Sequence, residues 1–186
     1  MDSLHPLSEF YQESGLPLPQ VRQVAPHEIP EIYRRLLVHE RDMTPTLEAA
    51  YRQSIRLRTL EYVLRGDVVS RQVLLVLEDD DTAVEFGAIK IHLGPFPEEA
   101  RRLVVERKKP LGTILRLGGI VHECRPRGYF EVTVDPLIAE ALGVERGSLL
   151  YGRQNVIWDS SGRALAEVLE ILPPSDPSSN GHGKGR

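Results

Sequence analysis

The chain predicts an α+β fold, an antiparallel sheet with helices layered on one side. Three observations carry this. Segments of two-residue period come as neighbours separated by turns: VEFGAIKIHL follows SRQVLLVL, and ALAEVLEIL follows LLYGRQNVIW. That is the signature of hairpins, not of strands alternating singly with helices. Stretches of helical period fall between these strand segments. A length of 186 residues, 41% hydrophobic and 27% charged, is enough to bury one core without staples.

Residues 1–24 are mixed and rich in proline and glutamine, and predict a loosely ordered arm with a weak helix at most. Ile29, Ile32, Leu36 and Leu37 recur at helical spacing and predict a helix over about 28–40. In DMTPTLEAAY, Thr44 can cap a second helix, Pro45 suits its first position, and Leu47, Ala50 and Tyr51 form one stripe. Met43 then sits just before the cap, where free N–H groups point. From Ser54 the period becomes two, and Ile55, Leu57 and Thr59 alternate with Arg56 and Arg58.

Residues 70–77 and 84–93 predict a hairpin around DDDT at 79–82. PEEARRLVVERKK reads as a helix, and PLGTILRL as a second after a break at Pro110. Residues 127–134 predict a strand, and DPLIAEALGV a short helix capped by Asp135 with Pro136 behind it. The last two strands close around DSSG at 159–162. The expected organisation is an arm over 1–24, one domain over 25–174, and a polar, disordered tail over 175–186.

A net charge of −4 offers no basic footprint for nucleic acid or anionic membrane. The single Cys124 excludes an internal disulfide and a cysteine cluster, and no signal-peptide pattern opens the chain; both fit a cytoplasmic protein. There is no phosphate loop, dinucleotide fingerprint, nucleophile elbow or paired-histidine metal spacing. The bland readings take His39 as a solvated helix residue, His92 as a satisfied sheet residue and Cys124 as a small buried hydrophobe.

Arg71 is different. In SRQVLLVL it shares a face with Val73, Leu75 and Leu77. A guanidinium there cannot shed its charge and needs an anion: a ligand, an internal glutamate, or water reached by snorkelling. In ALAEVLEIL, Glu167 and Glu170 stand among aliphatic neighbours. A carboxyl in such surroundings has its pKa raised, which suits proton transfer, and both cannot point inward without cost.

Four blocks together resemble the chorismate pyruvate-lyase (4-hydroxybenzoate synthase) family, over about residues 34–174. They are DMTPTLEAAY, SRQVLLVL, KKPLGTIL and YGRQNVIWDSSGRALAEVLEILP, in the family's order and spacing. The resemblance implies a six-stranded antiparallel sheet and a small buried pocket under helical flaps. It implies that Arg71 holds a ring carboxylate, with backbone N–H groups at Met43 and Leu111, and that a terminal-strand glutamate meets the phenolic oxygen. The Leu-Pro ending favours Glu170, whereas the distance from the Ser-Gly turn sits closer to Glu167. The expected activity is elimination of pyruvate from chorismate, giving 4-hydroxybenzoate. Arg71 and Glu170 (or Glu167) would act as catalytic groups, in a monomer without metal or organic cofactor. The alternative is a non-catalytic, effector-sensing domain of the same fold, as in certain transcription regulators. Those carry a DNA-binding unit in front, for which about 24 residues are too few.

Overall fold

A computed structural model describes residues 2–174; the expected tail lies outside the described residues. Seven strands form one antiparallel sheet: β1 (Val21–Val24), β2 (Ile55–Arg65), β3 (Val68–Leu77), β4 (Ala83–His92), β5 (His122–Thr133), β6 (Leu149–Asp159) and β7 (Ala164–Leu172). Their order across the sheet is β1-β5-β6-β7-β4-β3-β2. Six helices accompany them: α1 (Leu7–Glu13), α2 (Glu31–Leu37), α3 (Met43–Tyr51), α4 (Glu98–Glu106), α5 (Leu111–Leu117) and α6 (Pro136–Leu142). The α+β class with an antiparallel sheet is as expected, with one strand more than the resemblance implies.

The helix layer over the Arg71 face is α2 to α5. Leu36, Leu37, Leu47 and Tyr51 join the core there with Leu57 and Leu75, while Ile114, Leu115 and Val104 pack with Ile89, Ile91 and Ala166. On β4 and β7 the other parity faces the N-terminal segment. Lys90 Nζ donates to Glu9 at 2.6 Å, Gln154 Nε2 donates to the carbonyl of His5 at 3.0 Å, and Phe86 and Ala88 pack with Leu7, Phe10 and Ile138.

Residues 1–24 therefore differ from the loosely ordered arm the sequence suggests. Leu4, Leu7, Phe10 and Tyr11 are buried, the Tyr11 hydroxyl donates to Asp135 at 2.7 Å, and Val21–Val24 pairs with β5 as the seventh strand. Their apolar residues are too few and too scattered among prolines to show a period, yet Leu4, Leu7, Phe10, Tyr11 and Val24 join the core while Leu16, Leu18 and Val21 stay exposed.

Other boundaries shift for local reasons. The helix expected over 28–40 becomes a 3₁₀ turn at Pro26–Glu28 followed by α2, because Pro30 holds Ile29 extended (φ −74°, ψ 127°). α4 stops at Glu106, where Arg107 turns left-handed (φ 60°). β5 starts at His122, five residues earlier than expected, and tolerates Pro126 at a bulge before Gly128. The cap of α3 also moves: Asp42, not Thr44, is the flanking residue, so Met43 is the first helical residue. Asp135 caps α6 as expected, accepting from the Ile138 N–H at 2.8 Å. Among the described residues no helix is long and apolar enough to cross a membrane.

Candidate functional site

The sheet register builds the site floor. Arg71 lies opposite Ile89, which lies opposite Val168, which lies opposite Asn155. One row along, Val73, Gly87, Glu170 and Arg153 are aligned in the same way, and beyond them Leu75 faces Glu85. A side chain at Gly87 would bring its Cβ to 2.3 Å from the Leu169 carbonyl oxygen, so no larger residue fits where β7 crosses. The roof comes from two helix starts: Asp42, Met43 and Thr44 before and in α3, and Pro110, Leu111 and Gly112 before and in α5. Between floor and roof lies a small cavity of about 60 Å³, partly open to solvent, room for a few waters or one compact ligand group. Its walls are mainly aliphatic, from Leu57, Val73, Leu75, Ile89, Leu111, Ile157 and Val168.

Arg71 projects into this space. It is 1% exposed, and its Nε and Nη1 atoms have no hydrogen-bond partner among the described residues. Burial depresses its pKa to about 10, which leaves it cationic near neutrality. Tyr62 lies opposite it on β2, and that hydroxyl is also buried without a partner. The protein thus holds a dry cation with two donors open, an arrangement that costs stability unless an anion arrives.

Arg153, on the same face, is fully satisfied. Its Nε pairs with Glu170, Nη1 donates to the Leu37 and His39 carbonyls at 3.2 and 2.9 Å, and Nη2 donates to the Arg41 carbonyl at 3.1 Å. Burial pulls its pKa down, but the facing Glu170 carboxylate more than offsets this. Glu85 completes the polar group. Burial first, then the charge of Glu170, pushes its carboxyl well above the usual range, and its Oε2 has no hydrogen-bond partner among the described residues. Asn155 Oδ1 is likewise unpartnered. The cavity therefore offers a cation on β3, a carboxyl with a raised pKa on β4 and a carboxamide on β6.

Met43, Arg71, Leu111 and Glu170 all line this cavity. Glu167 does not. It lies on the opposite face of β7, 3.2 Å from His92 and 3.2 Å from His5. Sequence reasoning missed Glu85, whose signal was available: it alternates in phase with Ile89 and Ile91. It also missed Arg153 as the partner of Glu170. Cys124 is buried as expected; its thiol bonds Asp42 at 3.0 Å, and burial pushes its pKa up to about 12, which suits no nucleophile.

No protein-family profile matches the chain, and no curated protein matches it in sequence. Solved structures do. The effector domain of PhnF from Mycobacterium smegmatis superposes with a TM-score of 0.54 at 15% identity, over 70% of this chain and 87% of that one. A structure of PhnF from the same organism gives 0.55 at 14% identity, over 89% and 92%. The ligand-binding domain of a protein assigned to the GntR family of transcriptional regulators, from Bordetella bronchiseptica, is 20% identical over 64% and 85%, with a TM-score of 0.47, too distant to add weight. The shared fold is the chorismate-lyase-like one.

These neighbours overturn the expected enzyme. The fold matches with a TM-score above 0.5 are PhnF and its effector domain, not a lyase of 4-hydroxybenzoate synthesis. The site agrees physically, because the glutamate that would move a proton, Glu170, is committed to a buried pair with Arg153.

Proposed function

We propose that this chain is a non-catalytic, small-molecule-sensing domain whose ligand is a compact, flat molecule with one anionic group, of the hydroxybenzoate type. The observation that carries this is the Arg71 guanidinium, buried beside a cavity with two donors unmet. A carboxylate accepts from both in the two-pronged geometry that guanidinium favours. Aliphatic walls suit a ring, and Met43 can adjust against it. Glu85, two rows from Arg71 and thus about 13 Å along the sheet at the Cα level, offers a carboxyl of raised pKa to a ligand hydroxyl or to a bridging water. Kinship of fold with an effector domain supports binding without turnover.

The test is a binding panel on the purified chain: benzoate, 3- and 4-hydroxybenzoate, chorismate, and uncharged 4-hydroxybenzamide, followed by thermal unfolding. At a concentration one hundred times Kd, a true ligand adds about 2.7 kcal/mol of stability. One or more carboxylates should do so and be recovered unchanged, while the amide should not. Equal response to acid and amide, or silence across the carboxylates, would overturn the reading.

A further inference from the structure

A second cluster adjoins the cavity through Asp42, which lines both the Arg71 cavity and a groove beside it. His122 and Cys124 are two apart on β5, so their side chains share a face. Asp42 meets them from the start of α3, and one ligand-capable atom from each of the three lies within 4.8 Å of the others. Asp42 occupies the cap position of α3 but its carboxylate makes no cap bond. It turns instead to His122 Nε2 at 2.9 Å and to Cys124 Sγ at 3.0 Å.

The histidine geometry adds an independent clue. His122 Nδ1 stands 2.8 Å from the Ile120 carbonyl oxygen, which can only accept, so Nδ1 carries a hydrogen. In a neutral ring Nε2 then presents a lone pair, yet it faces a carboxylate oxygen. Two acceptors at 2.9 Å require a positive centre between them, either a second ring proton or a metal ion. A carbonyl that orients the non-ligating nitrogen is the usual outer partner of a metal-bound histidine.

We propose that Asp42, His122 and Cys124 form a binding site for a divalent transition cation of the zinc type. One thiolate, one imidazole and one carboxylate make a mixed set that such a cation accepts, and three protein ligands leave a fourth position for water or a solute. The two ligand anions balance the charge of the cation, which takes the place of the thiol proton and of the positive charge between His122 and Asp42. A groove reaches the cluster from solvent, and on its rim Glu40 and Glu123 are matched in number by Arg41 and Arg125. Asp42 also lines the Arg71 cavity, so the ion would pin the start of α3 against β5 and stiffen one wall of the ligand pocket.

Cobalt(II) added to the reduced full-length chain tests this directly, because Cys124 is the single cysteine. The expected result is a thiolate-to-cobalt charge-transfer band that saturates at one equivalent and is displaced by zinc(II). Cys124→Ser abolishes the band. His122→Gln weakens zinc affinity by at least the roughly 10–100-fold that loss of even an outer partner costs. Circular dichroism identifies any variant that fails to fold, and the wild-type titration decides the matter alone. A folded wild type without the band means that Asp42 and His122 form a plain ion pair, and zinc(II) affinity that is unchanged in Cys124→Ser and His122→Gln places the metal elsewhere; either result overturns the proposal. The proposal stands apart from the ligand reading, because an Arg71 variant that loses carboxylate binding should keep the cobalt band.

Discussion

Arg71 and Arg153 lie on one face of one sheet, one row apart, and both are buried to within 1% of full enclosure. Arg153 is surrounded by a carboxylate and three carbonyl oxygens. Arg71 has open donors and a cavity. The same side chain in nearly the same setting is structural in one place and receptive in the other, and partners, not burial, make the difference. A guanidinium that the fold completes ties elements together: Arg153 fastens the chain after α2 onto β6. A guanidinium that the fold leaves incomplete lowers stability, and its retention makes sense if something outside the chain completes it.

The largest effect should come from breaking the completed pair. Glu170→Ala strands the Arg153 charge in the interior and should cost about 3–5 kcal/mol, measured by urea denaturation. Joint replacement Arg153→Met with Glu170→Leu should recover most of that loss, since a buried pair is often replaceable by matched apolar groups. If the single change is harmless, the two arginines are not the opposites described.

Acid should separate the two regions next. His39 lies against Arg153, and burial, then that charge, lower its pKa to about 4 from an ordinary value near 6.5. The unfolded chain binds the proton first, so this contribution is full above about pH 6.5 and is lost as pH falls toward 4. Glu85, beside the ligand cavity, has the opposite sign. Its folded pKa is raised by burial, then by Glu170, so the folded state holds the proton longer. Stability from this group falls as pH rises above the ordinary carboxylate value of about 4.3. Urea midpoints across the acid range should show His39→Gln flattening the loss toward low pH and Glu85→Gln flattening the loss toward high pH.

The smallest effect sharpens the boundary of the site. Glu167 lies on the far face with His92 and His5, so Glu167→Gln should leave benzoate-type affinity within about twofold, as exposed pairs contribute little. Calorimetric titration would read a larger change as evidence that the far face communicates with the cavity.

Much of this could be read before any coordinates. The hairpins, the inward arginine on β3, and the places of Met43 and Leu111 follow from period and motif order, because those signals are local. The glutamate choice was not local. Asp159 and Arg163 pair at the end of the β6–β7 hairpin, and continuing that register would set Leu169 opposite Arg153. An irregularity between Ile157 and Trp158 shifts the pairing by one and brings Glu170 there instead. One residue of slip exchanges the faces of a strand, which is why the sequence favours Glu170 only through its Leu-Pro ending and keeps Glu167 as second choice. The Asp42–His122–Cys124 cluster was hidden for a different reason: about eighty residues separate its parts, and no spacing rule spans a fold. Function misled for a third reason. Arg71 and its roof look alike whether the ligand reacts or only binds, and the distinction lies in whether Glu170 is free.

Chemical denaturation of wild type and Arg71→Met, each with and without saturating 4-hydroxybenzoate, tests the central claim most directly. Without ligand, Arg71→Met should be the more stable protein by about 1–3 kcal/mol, the cost of unmet buried groups. Ligand should then stabilise the wild type and leave the variant unmoved. A variant several kcal/mol weaker than wild type in the absence of ligand, or one that gains as much from the ligand, would make Arg71 a second structural arginine and contradict the account.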